Sequence, residues 1–319
     1  MLKKKLAPAR RISELKDFAC TVPALIFLII FTYFPVLHLI QISFTNWNLI
    51  RDDYQYVGFK NWIWLFKGSG TKYLLNSLKV TFLYSAGELL ITIAGGLILA
   101  LVFSQGTSGF GQEKSRRGLF FNKENAFSAM RAIVFMPKYV AMSSAAVIFL
   151  WMLDTEHGVF NYFLSLLGAA PVDWLGNRHI ALLSVLMLTG WRAIGYGMIV
   201  YVSALQGISR DYYEAADIDG ASAWQKFYKI TLPMLSPTTL FMFVTTFIAS
   251  MKVFQSVDIL TNGGPYRSTE VLVYQIYKYA MEDFRMDRAA TVALLFFVML
   301  LVVTMATMKI SKKNVHYES

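Results

Sequence analysis

Six stretches of the chain stay apolar for the roughly 20 residues that a helix needs to cross a bilayer core about 30 Å thick. They are Phe18–Ile42, Val80–Phe103, Ala132–Met152, Ile180–Leu205, Met234–Phe254 and Ala289–Met308, with polar, charged and turn-forming residues between them. The pattern predicts an all-α integral membrane protein with six transmembrane helices. Lys3, Lys4, Lys5, Arg10, Arg11 and Lys16 precede the first stretch, as in a signal peptide. Its apolar run is too long for a signal core and no small-residue cleavage site follows, so it is expected to remain as an anchor. Between the fourth and fifth stretches lies a polar island rich in small residues, Tyr212–Pro237.

Composition agrees with a membrane protein. Of the 319 residues, 56% are hydrophobic, 15% aromatic and only 16% charged, which excludes disorder and is unusual for a soluble domain. The net charge of +10 would suit nucleic acid, but the cations cluster beside the apolar stretches. Connections on the side of the N-terminus hold six, five, three and three Lys and Arg residues, and those on the other side fewer. By the positive-inside rule both termini are cytoplasmic, no nucleic-acid partner is implied, and the polar island faces the cytoplasm. The single cysteine, Cys20, rules out an internal disulfide framework.

The island reads as two short helices. Ser209 is placed to cap the first, Gly220 suits the left-handed position that closes it, and Ser222 with Gln225 forms a capping box for the second. Trp224, Phe227 and Tyr228 share a face, and Pro233 sits where a new helix would start. A pair this short has little reason to be stable alone, which suggests a docking knob; an ordinary helical connecting loop has the same look. The order Glu214-Ala215-Ala216, Gly220, Ile230-Thr231-Leu232-Pro233 resembles the E-A-A loop of ABC importer permeases of the binding-protein-dependent sugar (maltose-type) family. That resemblance, running from about Phe44 onward, implies the type I ABC importer permease fold. It makes 209–233 a coupling loop, with Tyr213, Glu214, Ala215, Ala216, Asp217 and Gly220 docking on an ATPase. The implied division is a cytoplasmic segment 1–17, a first helix and outer loop 18–76, a permease core 77–309 and a cytoplasmic tail 310–319.

Further stretches resemble the same family. Val57-Gly58-Phe59-Lys60-Asn61-Trp62 is similar to the lead-in of its permease domain, and Phe135-Met136-Pro137 to the start of its third helix. Gly158–Leu164 carries G-x-x-N-x-x-L and is expected flat at the outer interface. Thr261–Thr269 carries T-x-G-G-P-x-x-x-T, a tight outer turn in which Asn262, Gly263, Gly264 and Pro265 would contact a solute-binding protein. Tyr274–Tyr279 is expected as a surface helix. The basic loop from Ser104 to Met130 is longer than the family pattern and takes no role from it.

In maltose-type permeases the helices flanking the E-A-A loop line the sugar path. Trp191, Tyr196, Thr246 and Ser250 fall at matching places, and Arg192 and Lys252 lie within the same two helices. Aromatic rings suit a sugar's apolar face and hydroxyls its rim, although helix-packing aromatics look the same. Arg192 near mid-membrane costs about 2.5–3.5 kcal/mol on insertion scales, so it is expected to face protein or water. Either Arg192 and Lys252 attract an acidic saccharide such as a uronate oligomer, or they pair with Glu88 or a partner chain.

No phosphate-binding loop, zinc motif or nucleophile elbow is present, and the four histidines are scattered. The reading carries no catalytic, metal or cofactor site: ATP and magnesium would be held by two cytoplasmic ATPase subunits. A second, homologous permease, giving a heterodimer, and an extracytoplasmic solute-binding protein complete the implied assembly. Its place is the bacterial cytoplasmic (inner) membrane, multi-pass. A secondary, ion-coupled transporter and an ABC importer of a non-sugar solute are the alternatives.

Overall fold

The computed structural model describes residues 8–51, 53–104 and 123–314. The central part of the basic loop, 105–122, and the last five residues of the expected tail lie outside the described residues. Among the described residues the chain is helical, with one isolated antiparallel bridge between Thr45 and Tyr56. Four helices are long and apolar enough to cross a membrane: α1 (Phe18–Ser43), α2 (Gly70–Ser104), α5 (Ala181–Gln206) and α10 (Met286–Asn314, apolar to Thr307). Two bent pairs qualify if each is one span. They are α3 (Ala126–Tyr139) with α4 (Met142–Met152), and α7 (Ala223–Met234) with α8 (Ser236–Met251). The short helix α6 (Arg210–Ile218) precedes α7, and α9 (Gln255–Thr261) follows α8.

The first bend corrects the expectation of one continuous helix over Ala132–Met152, while the second falls at the start of the expected Met234–Phe254 span. α3 and α4 meet at 99°, and α7 and α8 at 59°. Proline is the local cause, because it lacks the N–H that would continue the ladder and its ring crowds the preceding turn. Pro137 lies in the last turn of α3, after which Val140 and Ala141 are extended (ψ 129° and 137°). Pro233 stands in the first turn of a short helical segment, Leu232–Met234, as expected. It is carried inside α7 behind a locally widened turn, Phe227–Thr231, and the break falls at Leu235. Pro237 then occupies the first turn of α8, where a missing N–H costs nothing. A third interruption separates α8 from α9 at Lys252–Phe254.

Two compact units divide the chain: Met1–Thr71 with Ile276–Leu295, and Lys72–Gln275 with Phe296–Ser319. In the first, Asn61 explains its own motif. It is buried, and its amide donates to the carbonyls of Ser43 (3.0 Å) and Thr45 (2.7 Å), closing the turn that follows α1. Arg288 stacks over Trp64 at 4.3 Å.

The second unit is built on α5. Its outer half packs with Val80 and Tyr84 of α2, Ala145, Ala146 and Phe149 of α4, and Val257 and Leu260 of α9. Its inner half packs Met198, Tyr201 and Val202 against Ala100 of α2 and Leu235. Between the two clusters the backbones of α2 and α5 nearly touch. A Cβ on Gly96 would stand 2.7 Å from the backbone carbonyl carbon of Gly197, so only glycine fits there. The expected surface helix at Tyr274–Tyr279 is instead largely buried. Tyr274, Gln275 and Tyr279 are all inside, and Gln275 accepts a hydrogen bond from Ser77.

Gly96→Val is expected to cost about 1–3 kcal/mol through overpacking. In purified protein this reads as a lower melting temperature in detergent, while Gly207→Ala, at the open end of α5, leaves it close to the parent value.

Candidate functional site

A cavity of about 650 Å³ opens beside the middle of α5. The two interruptions make room for it. Lys138 and Met142 come from the α3–α4 break, and Lys252, Val253, Phe254, Gln255 and Ser256 from the α8–α9 break. α2 contributes Tyr84, Glu88 and Thr92, α5 contributes Thr189, Arg192, Ala193 and Tyr196, and α8 contributes Thr245, Thr246, Ala249 and Ser250. Five of the six residues expected on the substrate path are thereby brought together: Arg192, Tyr196, Thr246, Ser250 and Lys252. Trp191 is not among them. One residue along a helix turns a side chain by about 100°, and the Trp191 ring lies against Phe149 (5.5 Å between centroids) with 42% of the residue exposed.

The polar groups of the cavity are mixed in role. Glu88 is only 8% exposed and accepts a hydrogen bond from Thr189 Oγ1 at 2.7 Å. Among the described residues it makes no ion pair, so the expected pairing of Glu88 with Arg192 or Lys252 does not form. Arg192 instead reaches the α3–α4 break: Nη2 donates to the carbonyls of Val140 (2.8 Å) and Lys138 (3.3 Å). The Lys138 ammonium sits 5.1 Å from the Tyr196 ring centroid, at cation–π range. Lys138 was missed from sequence, where it falls inside an apparently continuous apolar stretch; the Pro137 before it was the available signal. Ser250 bonds its own helix at Phe247, and Lys252 is exposed.

The loop at 209–233 is ordered by its own caps. Ser209 Oγ accepts from the Asp211 amide at 3.3 Å, and both halves of the Ser222–Gln225 capping box are present. Gly220 has φ +71°, and the amide of Ala221 reaches back to the carbonyl of Ala216, which closes α6 as expected. Asp217 pairs with Lys226 at 2.6 Å, and Tyr213 with Thr231 at 2.9 Å. Glu214 and Ala215 are exposed, whereas Ala216 is half-buried. The loop displays large apolar side chains to its surroundings: Ile218 is 87% exposed and Trp224 72%, with Tyr212 and Tyr228 beside them.

Residues 118–316 match the family described as the binding-protein-dependent transport system inner membrane component. The chain belongs to this family. YurN of Bacillus subtilis (strain 168), a probable ABC transporter permease protein, is 30% identical over 91% of this chain and 94% of its own. The trehalose/maltose transport system permease protein MalF of Thermococcus litoralis is 28% identical over 91% of each chain. The crystal structure of a bacterial ABC transporter involved in the import of the acidic polysaccharide alginate has the same fold. It matches with a TM-score of 0.79 at 24% identity, over 96% of this chain and all of that one. The chain is thus a permease of the binding-protein-dependent transport kind.

Two further family motifs of the permease are self-contained structures. In Thr261–Thr269 the two threonine hydroxyls bond each other at 2.8 Å, and Thr269 Oγ1 donates to the Gly264 carbonyl at 2.7 Å. Gly263 is buried, Gly264 and Pro265 are half-buried, and only Asn262 of the four expected contact residues is exposed. Tyr266, at 89%, is the exposed tip of this turn. Asn161 of the G-x-x-N segment is likewise buried; its amide group joins Asp154, Thr155, Val172 and the Trp174 indole.

Thr189→Val removes the 2.7 Å hydroxyl donor of Glu88, and about 1–3 kcal/mol of stability is expected to go with it. Thr189→Ser keeps the donor, so melting curves of the two variants in detergent should separate, with the serine form near the parent.

Proposed function

We propose that the permease carries an acidic oligosaccharide, of uronate type, inward across the cytoplasmic membrane. The observation behind this reading is the charge balance of the cavity: Lys138, Arg192 and Lys252 line it against a single carboxylate, Glu88. A neutral sugar would gain little from three cations at the cavity wall. A carboxylated one offsets their charge, while Tyr196 offers a ring face and Thr245, Thr246 and Ser250 supply a hydroxyl-bearing wall. The relatives include a transporter of neutral disaccharides, so the preference rests on these side chains.

The remaining parts follow from the same reading. Each bent pair is taken as one span, which gives six with both termini in the cytoplasm. A second permease completes the path, and a solute-binding protein delivers substrate at the outer turn around Asn262–Pro265. Two ATPase subunits dock on the 209–233 loop and hold ATP and magnesium. Their closure moves the loop, and the loop moves the α7–α8 pair to which it is joined, switching the cavity between outward and inward access. The exposed aromatic and aliphatic side chains of the loop support the docking role, since a monomer has no use for them in water.

Uptake by the reconstituted complex tests the substrate. Uronate oligosaccharides should be taken up in preference to neutral ones, and Lys252→Gln should raise KM for the uronate by about tenfold, equivalent to about 1.4 kcal/mol. Equal uptake of neutral sugars, unaffected by the substitution, would overturn the acidic assignment. Coupling is tested separately with Gly220→Val, which places a β-branched residue at φ +71°. The variant should insert normally yet lose substrate-stimulated ATP hydrolysis; normal stimulation would count against docking at this loop.

A further inference from the structure

The cavity holds three cations, but they are not equivalent. Lys138 and Lys252 are exposed, whereas the Arg192 fork is engaged with backbone. The carbonyl of Lys138 lies in the last turn of α3, and that of Val140 in the gap before α4. Among the described residues no backbone amide bonds to either one. Arg192 is their partner, with Nη1 directed at Met142 Sδ on the far side of the break, 3.4 Å away. A carbonyl freed at membrane depth needs a donor from protein or from cavity water, and here Arg192 is the protein donor.

We infer that Arg192 is a positioning residue, a latch that holds the right-angled break between α3 and α4 and so presents Lys138 to the cavity. The charge-reading groups are then Lys138 and Lys252. The inference rests in part on the cavity being the substrate site, but its geometric half does not. Pro137 permits the break without fixing its angle, since the extended residues Val140 and Ala141 have no ladder bonds across the gap. The guanidinium spans that gap, bonded to carbonyls at residues 138 and 140 and touching Met142, the first residue of α4. A planar fork with fixed donors suits such a task better than an ammonium. The close seat of α5 against α2 at Gly96 and Gly197 keeps the base of the Arg192 side chain in place.

The test reads geometry and transport separately. Spin labels at Ile133 on α3 and Ile148 on α4, both exposed, report the bend by pulsed electron resonance in the full complex, in a Cys20→Ser background. Arg192→Ala should broaden or shift the distance distribution, and Arg192→Lys, which keeps a donor within reach, should restore much of it. In uptake, Arg192→Ala should lower kcat for neutral and uronate oligosaccharides alike, leaving the ratio of their KM values within twofold of the parent. Lys138→Gln should raise KM for the uronate alone. A parent-like distribution in both Arg192 variants, or a selective rise in uronate KM for Arg192→Ala, would overturn the latch and make Arg192 a ligand contact. If the complex proves not to distinguish neutral from acidic sugars, the acidic reading fails while the distance measurement still decides the latch. Should Arg192→Ala not accumulate, Arg192→Lys alone remains decisive, because a latch predicts incomplete recovery and a pure charge contact predicts none of the distance change.

Discussion

A helix that breaks within a bilayer exposes carbonyls that lipid cannot satisfy, and this permease breaks beside a polar cavity of about 650 Å³. Placing an arginine at mid-membrane costs about 2.5–3.5 kcal/mol on insertion scales. Hydrogen bonds to a charged group return about 1.5–3 kcal/mol each, and Arg192 makes two to backbone oxygen. The two magnitudes are comparable, so the residue is tolerable where it stands and damaging to remove. The bend it closes gives the cavity one of its walls.

The second requirement is close helix contact. With Gly96 and Gly197 at the crossing, α2 and α5 approach until backbone meets backbone, and Glu88 and Thr189 come within a 2.7 Å hydrogen bond. Larger residues there would separate the helices by more than that bond could stretch. The carboxylate, only 8% exposed, would then lose its Thr189 donor. Small residues and a buried acid are thus parts of one arrangement, and the hydroxyl wall of α8 faces it across the cavity.

The 209–233 loop is held by different means. Its Asp217–Lys226 pair is largely exposed on the acid side and contributes at most about 1 kcal/mol. Caps, the left-handed Gly220 and the Tyr213–Thr231 bond define its shape. A loop shaped from within leaves its apolar side chains exposed, and a widened turn, Phe227–Thr231, leads from it to the 59° bend before α8.

How much of this was legible in sequence depends on the range of the interaction responsible. The Ser222–Gln225 box, the Ser209 cap and the Gly220 closure each join residues within a turn or so, and all were readable and are found. Apolar run length located the membrane helices but was blind to the breaks, because Val140, Ala141 and Val253 are as hydrophobic as their neighbours. Tertiary structure alone decided that Lys138 enters the cavity, that Trp191 turns away, and that Asn61 and Asn161 staple loops. It also decided that Arg192 serves the carbonyls of residues 138 and 140, some 50 positions away in the chain. Periodicity and hydropathy record what each residue prefers to be surrounded by. Which donor meets which orphaned carbonyl is settled only when helices far apart in the chain pack side by side.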